Sequence, residues 1–65
     1  MLEKVNINSA TIDEIAQIPG VGEGTARSIV DFRERHGKFR TLNELARVQQ
    51  IKPEHVNVLR KFVRI

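Results

Sequence analysis

A chain of 65 residues without cysteine is one domain near the smallest size at which an apolar core offsets chain entropy, and it excludes a disulfide framework, a thiolate metal site and a thiol nucleophile. Hydrophobic residues at 40% and charged ones at 29% are ordinary for a folded domain, and with no apolar run longer than two residues the sequence contains neither a membrane span nor a signal-peptide core. Eleven Lys and Arg against eight Asp and Glu give a net charge of +3 and favour polyanionic partners; residues 1–23 hold one basic residue, Lys4, against four acids, and residues 28–65 hold nine against four, which fits either a basic face or a solvated surface of mixed charge.

The elements read as helix throughout, with no sustained period-2 alternation, so the sequence predicts an all-α protein of about four main helices. Thr11 and Glu14 form a capping-box pair that opens a helix from Ile12 to about Gln17, with Ile12, Ile15 and Ile18 on one face and Pro19-Gly20 as its stop. A second helix of about 14 residues begins near Glu23, carries Ala26, Ile29, Val30 and Arg33 at helical spacing, and closes at Gly37, read as the left-handed residue after His36. Phe39 falls in the connection. Thr41 and Glu44 repeat the capping box ahead of Leu42, Leu45 and Val48, predicting a third helix. Pro53 suits the first position of a fourth, whose apolar face of Val56, Leu59, Phe62 and Val63 carries it nearly to the C-terminus.

Shifting the sequence by 30 residues aligns Thr11-Ile12-Asp13-Glu14-Ile15-Ala16-Gln17-Ile18 with Thr41-Leu42-Asn43-Glu44-Leu45-Ala46-Arg47-Val48, and Val21 with Ile51. The chain is an internal duplication, with a first motif over about 11–36 and a second, degenerate one over about 41–64, together making residues 1–65 one domain. Each half, a helix, a tight turn and a second helix, is too small to bury its own apolar face. The two must therefore pack together about a pseudo-two-fold axis.

The copies differ at the turn, where Pro19-Gly20-Val21-Gly22 corresponds to Gln49-Gln50-Ile51-Lys52. Gly20 and Gly22 permit positive φ and close approach of a ligand, and the turn runs straight into a helix start. N–H groups of Gly22, Gly24 and Thr25, backed by the helix macrodipole, make an anion site suited to one phosphate, with Val21 plugging the turn into the core. The Thr25 hydroxyl and Arg27 add a donor and a charge. The glycines taken alone also fit a plain tight turn between helices.

The whole pattern is more specific than its glycines. Val5-Asn6-Ile7-Asn8-Ser9-Ala10-Thr11, Ile18-Pro19-Gly20-Val21-Gly22, Ala26 with Ile29-Val30-Asp31-Phe32-Arg33, and His36-Gly37-Lys38-Phe39 resemble the helix-hairpin-helix domain of ComEA-type competence proteins over residues 5–65. The resemblance implies a tandem helix-hairpin-helix pair that binds double-stranded DNA without sequence preference, each hairpin touching one strand across the minor groove. It implies Gly20, Gly22, Gly24 and Thr25 as phosphate donors, and a monovalent cation on the carbonyls of Ala16, Ile18 and Val21. The sequence departs from the family in Gln50 and Lys52, where glycines are usual, and in Gly24, where many such motifs place a lysine. Weak affinity follows, with Lys52 and the N–H groups of Glu54 and His55 offering a partial second contact. The membrane anchor of ComEA-type proteins does not occur in this sequence, so a competence role does not transfer with the fold.

No enzyme is expected, because no nucleophile, base and oxyanion donor can be assembled from these residues. His36 and His55, 19 residues apart, read as surface residues at helix ends rather than as metal ligands, and Asp13, Glu14, Glu34 and Glu44 as helix-start or surface charges. Arg33, on the apolar stripe, reads as structural; Arg35, Lys38 and Arg40 fit a DNA flank. Phe32, Phe39 and Phe62 are the only aromatics and sit at core-like spacings, which disfavours single-strand recognition by base stacking. The leading expectation is a monomeric duplex-DNA binder that makes about two to four phosphate contacts. The alternatives are a protein-interaction or structural module on a degenerate helix-hairpin-helix scaffold, and a targeting domain of a larger nuclease or DNA repair enzyme, against which the Met1 start weighs mildly.

Overall fold

Thr11 opens the first helix by the two bonds its sequence context dictates. Its Oγ1 accepts from the Glu14 N–H at 3.1 Å, Glu14 Oε1 accepts from the Thr11 N–H at 2.9 Å, and α1 runs over Ile12–Ala16. The computed structural model describes residues 4–65; residues 1–3, where the domain of 1–65 begins, lie outside the described residues. After α1 the chain makes a tight turn in which the Val21 N–H donates to the Ile18 carbonyl at 2.9 Å, with Pro19 at the second position and Gly20 at φ 85. That combination is the type II turn, which needs positive φ at its third residue. α2 then spans Glu23–His36 and stops at Gly37, whose N–H donates to the Arg33 carbonyl at 2.9 Å. Gly37 adopts φ 90 and ψ −176, outside the left-handed helical region expected for it and in a region open essentially to glycine alone.

The second half repeats the plan with three departures from expectation. Residues Leu42–Arg47 form a 3-10 helix rather than an α-helix. The capping box at Thr41 does not form: Glu44 Oε1 accepts from the Arg40 N–H at 3.1 Å, and the Glu44 N–H donates to the Thr41 carbonyl at 3.2 Å. A strict spacing of three at Leu42, Leu45 and Val48 matches the three residues per turn of the tighter helix. α3, with Pro53 at its first turn, spans only Pro53–Leu59. The expected continuation is replaced by turns, the Phe62 N–H donating to the Leu59 carbonyl at 2.8 Å, and then by a short strand β2, Val63–Arg64, parallel to β1, Val5–Asn6, in the register Val5 to Val63 and Asn6 to Arg64. Extended backbone wins here because it finds partners: the Val5 N–H donates to Phe62 O at 2.8 Å and the Ile7 N–H to Arg64 O at 2.9 Å. The architecture stays all-α, four helical segments closed by a two-residue ribbon.

The duplication is visible in the core. Ile15, Ile18, Val21, Ala26 and Ile29 are buried, and so is each residue 30 positions on, Leu45, Val48, Ile51, Val56 and Leu59. α1 packs on α2 and the 3-10 helix on α3, while Ile7, Ala10, Phe39 and Val63 complete a shared interior that holds no polar side chain among the described residues. Burial of each of these larger aliphatic or aromatic side chains contributes about 1.5–3 kcal/mol.

One polar clasp joins the segment before α1 to the link between the copies. Asn8 Nδ2 donates to the Phe39 carbonyl at 3.0 Å, and the Phe39 N–H donates to Asn8 Oδ1 at 2.7 Å, so the amide side chain pairs with the backbone as a neighbouring strand would. Arg33 Nη1 donates to the Ile7 carbonyl at 3.0 Å, tying α2 to the same segment. The Asn-Ile-Asn entry and the Gly-Lys-Phe link are thus one structural unit.

Replacing Asn8 with Ala leaves the Phe39 N–H and carbonyl unpaired and costs about 2–4 kcal/mol. Thermal denaturation followed by circular dichroism should show a melting temperature lowered by roughly 10 °C or more; a drop within a few degrees would mean that water replaces the clasp at no cost. In the second turn Gln50 holds φ 75, the conformation glycine holds in the first. Gln50→Gly removes a backbone conformation that costs a side chain about 1 kcal/mol, and should raise the melting temperature by several degrees.

Candidate nucleic-acid interface

The start of α2 is electrically positive by construction and is left open. Gly22 is its N-cap, in extended backbone at φ −88, and supplies no side-chain cap. Its carbonyl accepts from the Ala26 N–H at 2.9 Å, whereas the N–H groups of Gly22, Glu23, Gly24 and Thr25 have no acceptor among the described residues. Four donors therefore converge on solvent at the positive end of a 14-residue helix.

The glycines divide by role. Gly20 needs its positive φ of 85, whereas Gly22, expected to use the same freedom, does not. A Cβ built at Gly22 meets nothing within 4 Å, and one at Gly24 meets only Gln50 Oε1 at an ordinary 3.7 Å. Internal packing does not explain the absence of side chains at these two positions. The Val21 side chain is buried and its N–H is engaged with Ile18, so it anchors the turn that presents Gly22.

Around the donors the side chains are partly committed. The Thr25 hydroxyl donates to Gln50 Oε1 at 3.4 Å, a long bond, which lays the second turn against the start of α2. Arg27 Nη2 lies 3.1 Å from Glu23 Oε2, and both side chains are about two-thirds exposed, at 66% and 64%. Glu23 thus neutralises the charge that Arg27 would offer an anion and places its own carboxylate beside the donors.

The second turn repeats the backbone geometry with fewer free donors. The Ile51 N–H donates to Val48 O at 3.1 Å, as Val21 does to Ile18. Lys52 takes the N-cap position of Gly22, but its N–H donates to His55 Nδ1 at 3.4 Å, Pro53 has none to give, and the His55 N–H donates to the Lys52 carbonyl at 2.9 Å. The partial second contact expected from Glu54 and His55 is therefore reduced to the Glu54 N–H and the exposed Lys52 ammonium. His55 had read as an ordinary surface residue, and its capping of Lys52 was legible only as half of a box whose other half lysine, having no acceptor, cannot complete.

Two helix-turn-helix units with abutting turns, one armed with free donors, define a paired hairpin module. The profile for "Helix-hairpin-helix motif" matches residues 2–64, and the chain belongs to the helix-hairpin-helix family, a DNA-binding fold. It is 43% identical over 47 residues to ComE operon protein 1 of Bacillus subtilis, covering 72% of this chain and 23% of that protein. It is 39% and 40% identical over 60 residues to Endonuclease/exonuclease/phosphatase family domain-containing protein 1 of Mus musculus and of Homo sapiens, covering 92% of this chain and 10% of each of those proteins. The chain thus spans a tenth to a quarter of the length of these relatives, and the activity in the mammalian name is attributed to those proteins alone.

Glu23→Gln removes the carboxylate beside the donors and releases Arg27. Because an exposed i,i+4 pair contributes only about 0.3–0.5 kcal/mol, the fold should be unaffected. Affinity for a duplex should rise severalfold, measured by fluorescence anisotropy at low salt; unchanged or weaker binding would place the anion site elsewhere.

Proposed function

We propose that this chain binds double-stranded DNA without sequence preference, as a monomer, by closing the N–H groups of Gly22, Gly24 and Thr25 on one backbone phosphate. The reading rests on one observation above the rest, the four unpartnered donors at the start of α2 with open space where Gly22 would carry a side chain. Gly20 and Val21 set the turn, the Thr25 hydroxyl exchanges its long bond to Gln50 for a phosphate oxygen, and Arg27 adds charge once drawn from Glu23. Lys52 supplies a weaker contact from the second turn. Backbone donors and a few cations read phosphate and not bases, so the contacts position the module without selecting sequence. The Ala16 and Val21 carbonyls accept no hydrogen bond among the described residues, and the Ile18 carbonyl accepts one of two it can take, so the three retain lone pairs for a monovalent cation that would draw the phosphate in.

A protein-docking role is the second reading. A cleft of about 210 Å³ between the turns, lined by Pro19, Val21, Ile51, Val58 and Leu59, favours it, with Val58 47% exposed.

The test is Gly22→Asp. Aspartate is a favourable N-cap and meets no neighbour at this position, so the variant folds while its own carboxylate occupies the donors. Two unrelated labelled duplexes should bind the parent equally, with a log–log salt slope of about −2 to −4, and the variant should lose binding at least tenfold. No binding by the parent at low salt overturns the DNA reading and leaves the cleft between the turns as the leading surface.

A further inference from the structure

The far end of α2 carries a second concentration of positive charge that the hairpin does not use. His36, Lys38, Arg40 and Arg47 line a cleft of about 260 Å³ with Phe32 and Gly37, and Glu44 is the single acid among its walls. Lys38, Arg40 and Arg47 are exposed, and none has a carboxylate within ion-pair distance among the described residues. Glu44 is engaged elsewhere, its Oε1 accepting from the Arg40 backbone N–H. Arg35, by contrast, is paired with Asp31 at 3.1 Å. Phe32 backs the cleft, its ring stacked on Phe39 at 5.2 Å and tilted against the exposed His36 ring at 4.5 Å, so aromatic surface lies beneath the cations. Complementing the negative end of the helix macrodipole accounts for Arg33, Arg35 and His36 in the last turn of α2. It does not account for Lys38, Arg40 and Arg47, which lie beyond it.

A helix of 14 residues is about 21 Å long, and the molecule extends 32 Å along its longest axis, so the cleft and the hairpin lie at opposite ends of α2. We propose that the cleft takes the phosphodiester backbone of a second nucleic-acid segment, so that one copy of the chain bridges two duplexes, the first held at the Gly22 hairpin. Three cationic side chains, Lys38, Arg40 and Arg47, against one committed acid fit a linear polyanion, and a duplex presents one negative charge per roughly 1.7 Å of its axis at whatever angle the second segment arrives. The proposal rests on the hairpin reading for its first contact.

The experiment uses a biotinylated duplex on a surface and an unrelated fluorescent duplex in solution, with the 65-residue chain added at low salt. Single-duplex affinity is measured in parallel by anisotropy, and folding by circular dichroism. The parent should capture the second duplex. The double variant Arg40→Gln/Arg47→Gln, which alters two exposed and unpaired side chains, should capture it at least fivefold less while its single-duplex affinity falls by a clearly smaller factor. Gly22→Asp should lose both. A parent that binds one duplex and captures no second overturns the bridging proposal and leaves the hairpin reading standing. Equal loss of capture and of single-duplex affinity in the double variant also overturns it, because the cleft then lies along the same duplex. Failure of the parent to bind any duplex overturns the hairpin reading and this one with it.

Discussion

Neither half of this chain can bury its own apolar stripe. Ile15, Ile18 and Ile29 from the first unit and Leu45, Val48 and Leu59 from the second are buried only because the two units close on one another. Every other feature is arranged around that shared interior. The turns must abut, because Val21 and Ile51 both plug into it, and so the start of α2 comes to lie under Gln50. The chain ends must meet, because Val63 is buried beside the segment that holds Ile7, and the short ribbon satisfies the backbone groups that this meeting desolvates. The Asn8–Phe39 clasp does the same for the link between units, where a connection with a buried Phe39 side chain leaves its N–H and carbonyl in need of partners. In a domain this small, a few kcal/mol from such polar closures is a large fraction of the total stability.

The pseudo-symmetry separates what the core requires from what the surface does. Both turns keep the buried plug residue and the positive φ before it, even though the second achieves that φ with Gln50 at a conformational cost. Both keep the extended N-cap. Those are conditions of packing. The first turn keeps four free donors, whereas in the second Pro53, the His55 ring and the Lys52 carbonyl remove most of them and leave the Glu54 N–H. The same backbone path therefore carries one helix start rich in free donors and one that is largely satisfied, so the fold alone does not dictate the open one.

Much of this was legible in the sequence, and the part that was not has physical causes. The duplication, the capping box at Thr11, the limits of α2 and the turn at Gly20 are set by local chemistry, and local chemistry is what a sequence displays. Thr41 and Glu44 carried the same signal as Thr11 and Glu14 but form a different structure, because Glu44 reaches the Arg40 N–H instead. The end of α3 was hidden for another reason: an apolar residue four positions after Leu59 serves a helix face and a buried strand equally well, and the choice is made by a partner 58 residues away, Val5 against Val63. The start of α2 leaves its N–H groups free where the turn sequence puts them, whereas the His55 N–H is bonded to the Lys52 carbonyl through a backbone geometry that composition does not reveal.

On the proposed function, a single phosphate clamp is a weak device in isolation. With the donors of one helix start and a handful of cations, affinity in the range of about 10⁻⁴ to 10⁻⁶ M is what nonspecific backbone contacts supply at physiological salt. Tethered to another DNA-engaged part, such a module experiences an effective duplex concentration of about 1 mM, so even the weak end of that range leaves it bound about nine-tenths of the time. The matched segments are 23% and 10% of the length of the Bacillus subtilis and mammalian relatives. Under such conditions a second full-strength hairpin adds little occupancy but slows release, and a closed second turn keeps exchange fast. On the proposed function, the carboxylate of Glu23 acts in the same direction, because it pairs with Arg27 and lies beside the backbone donors.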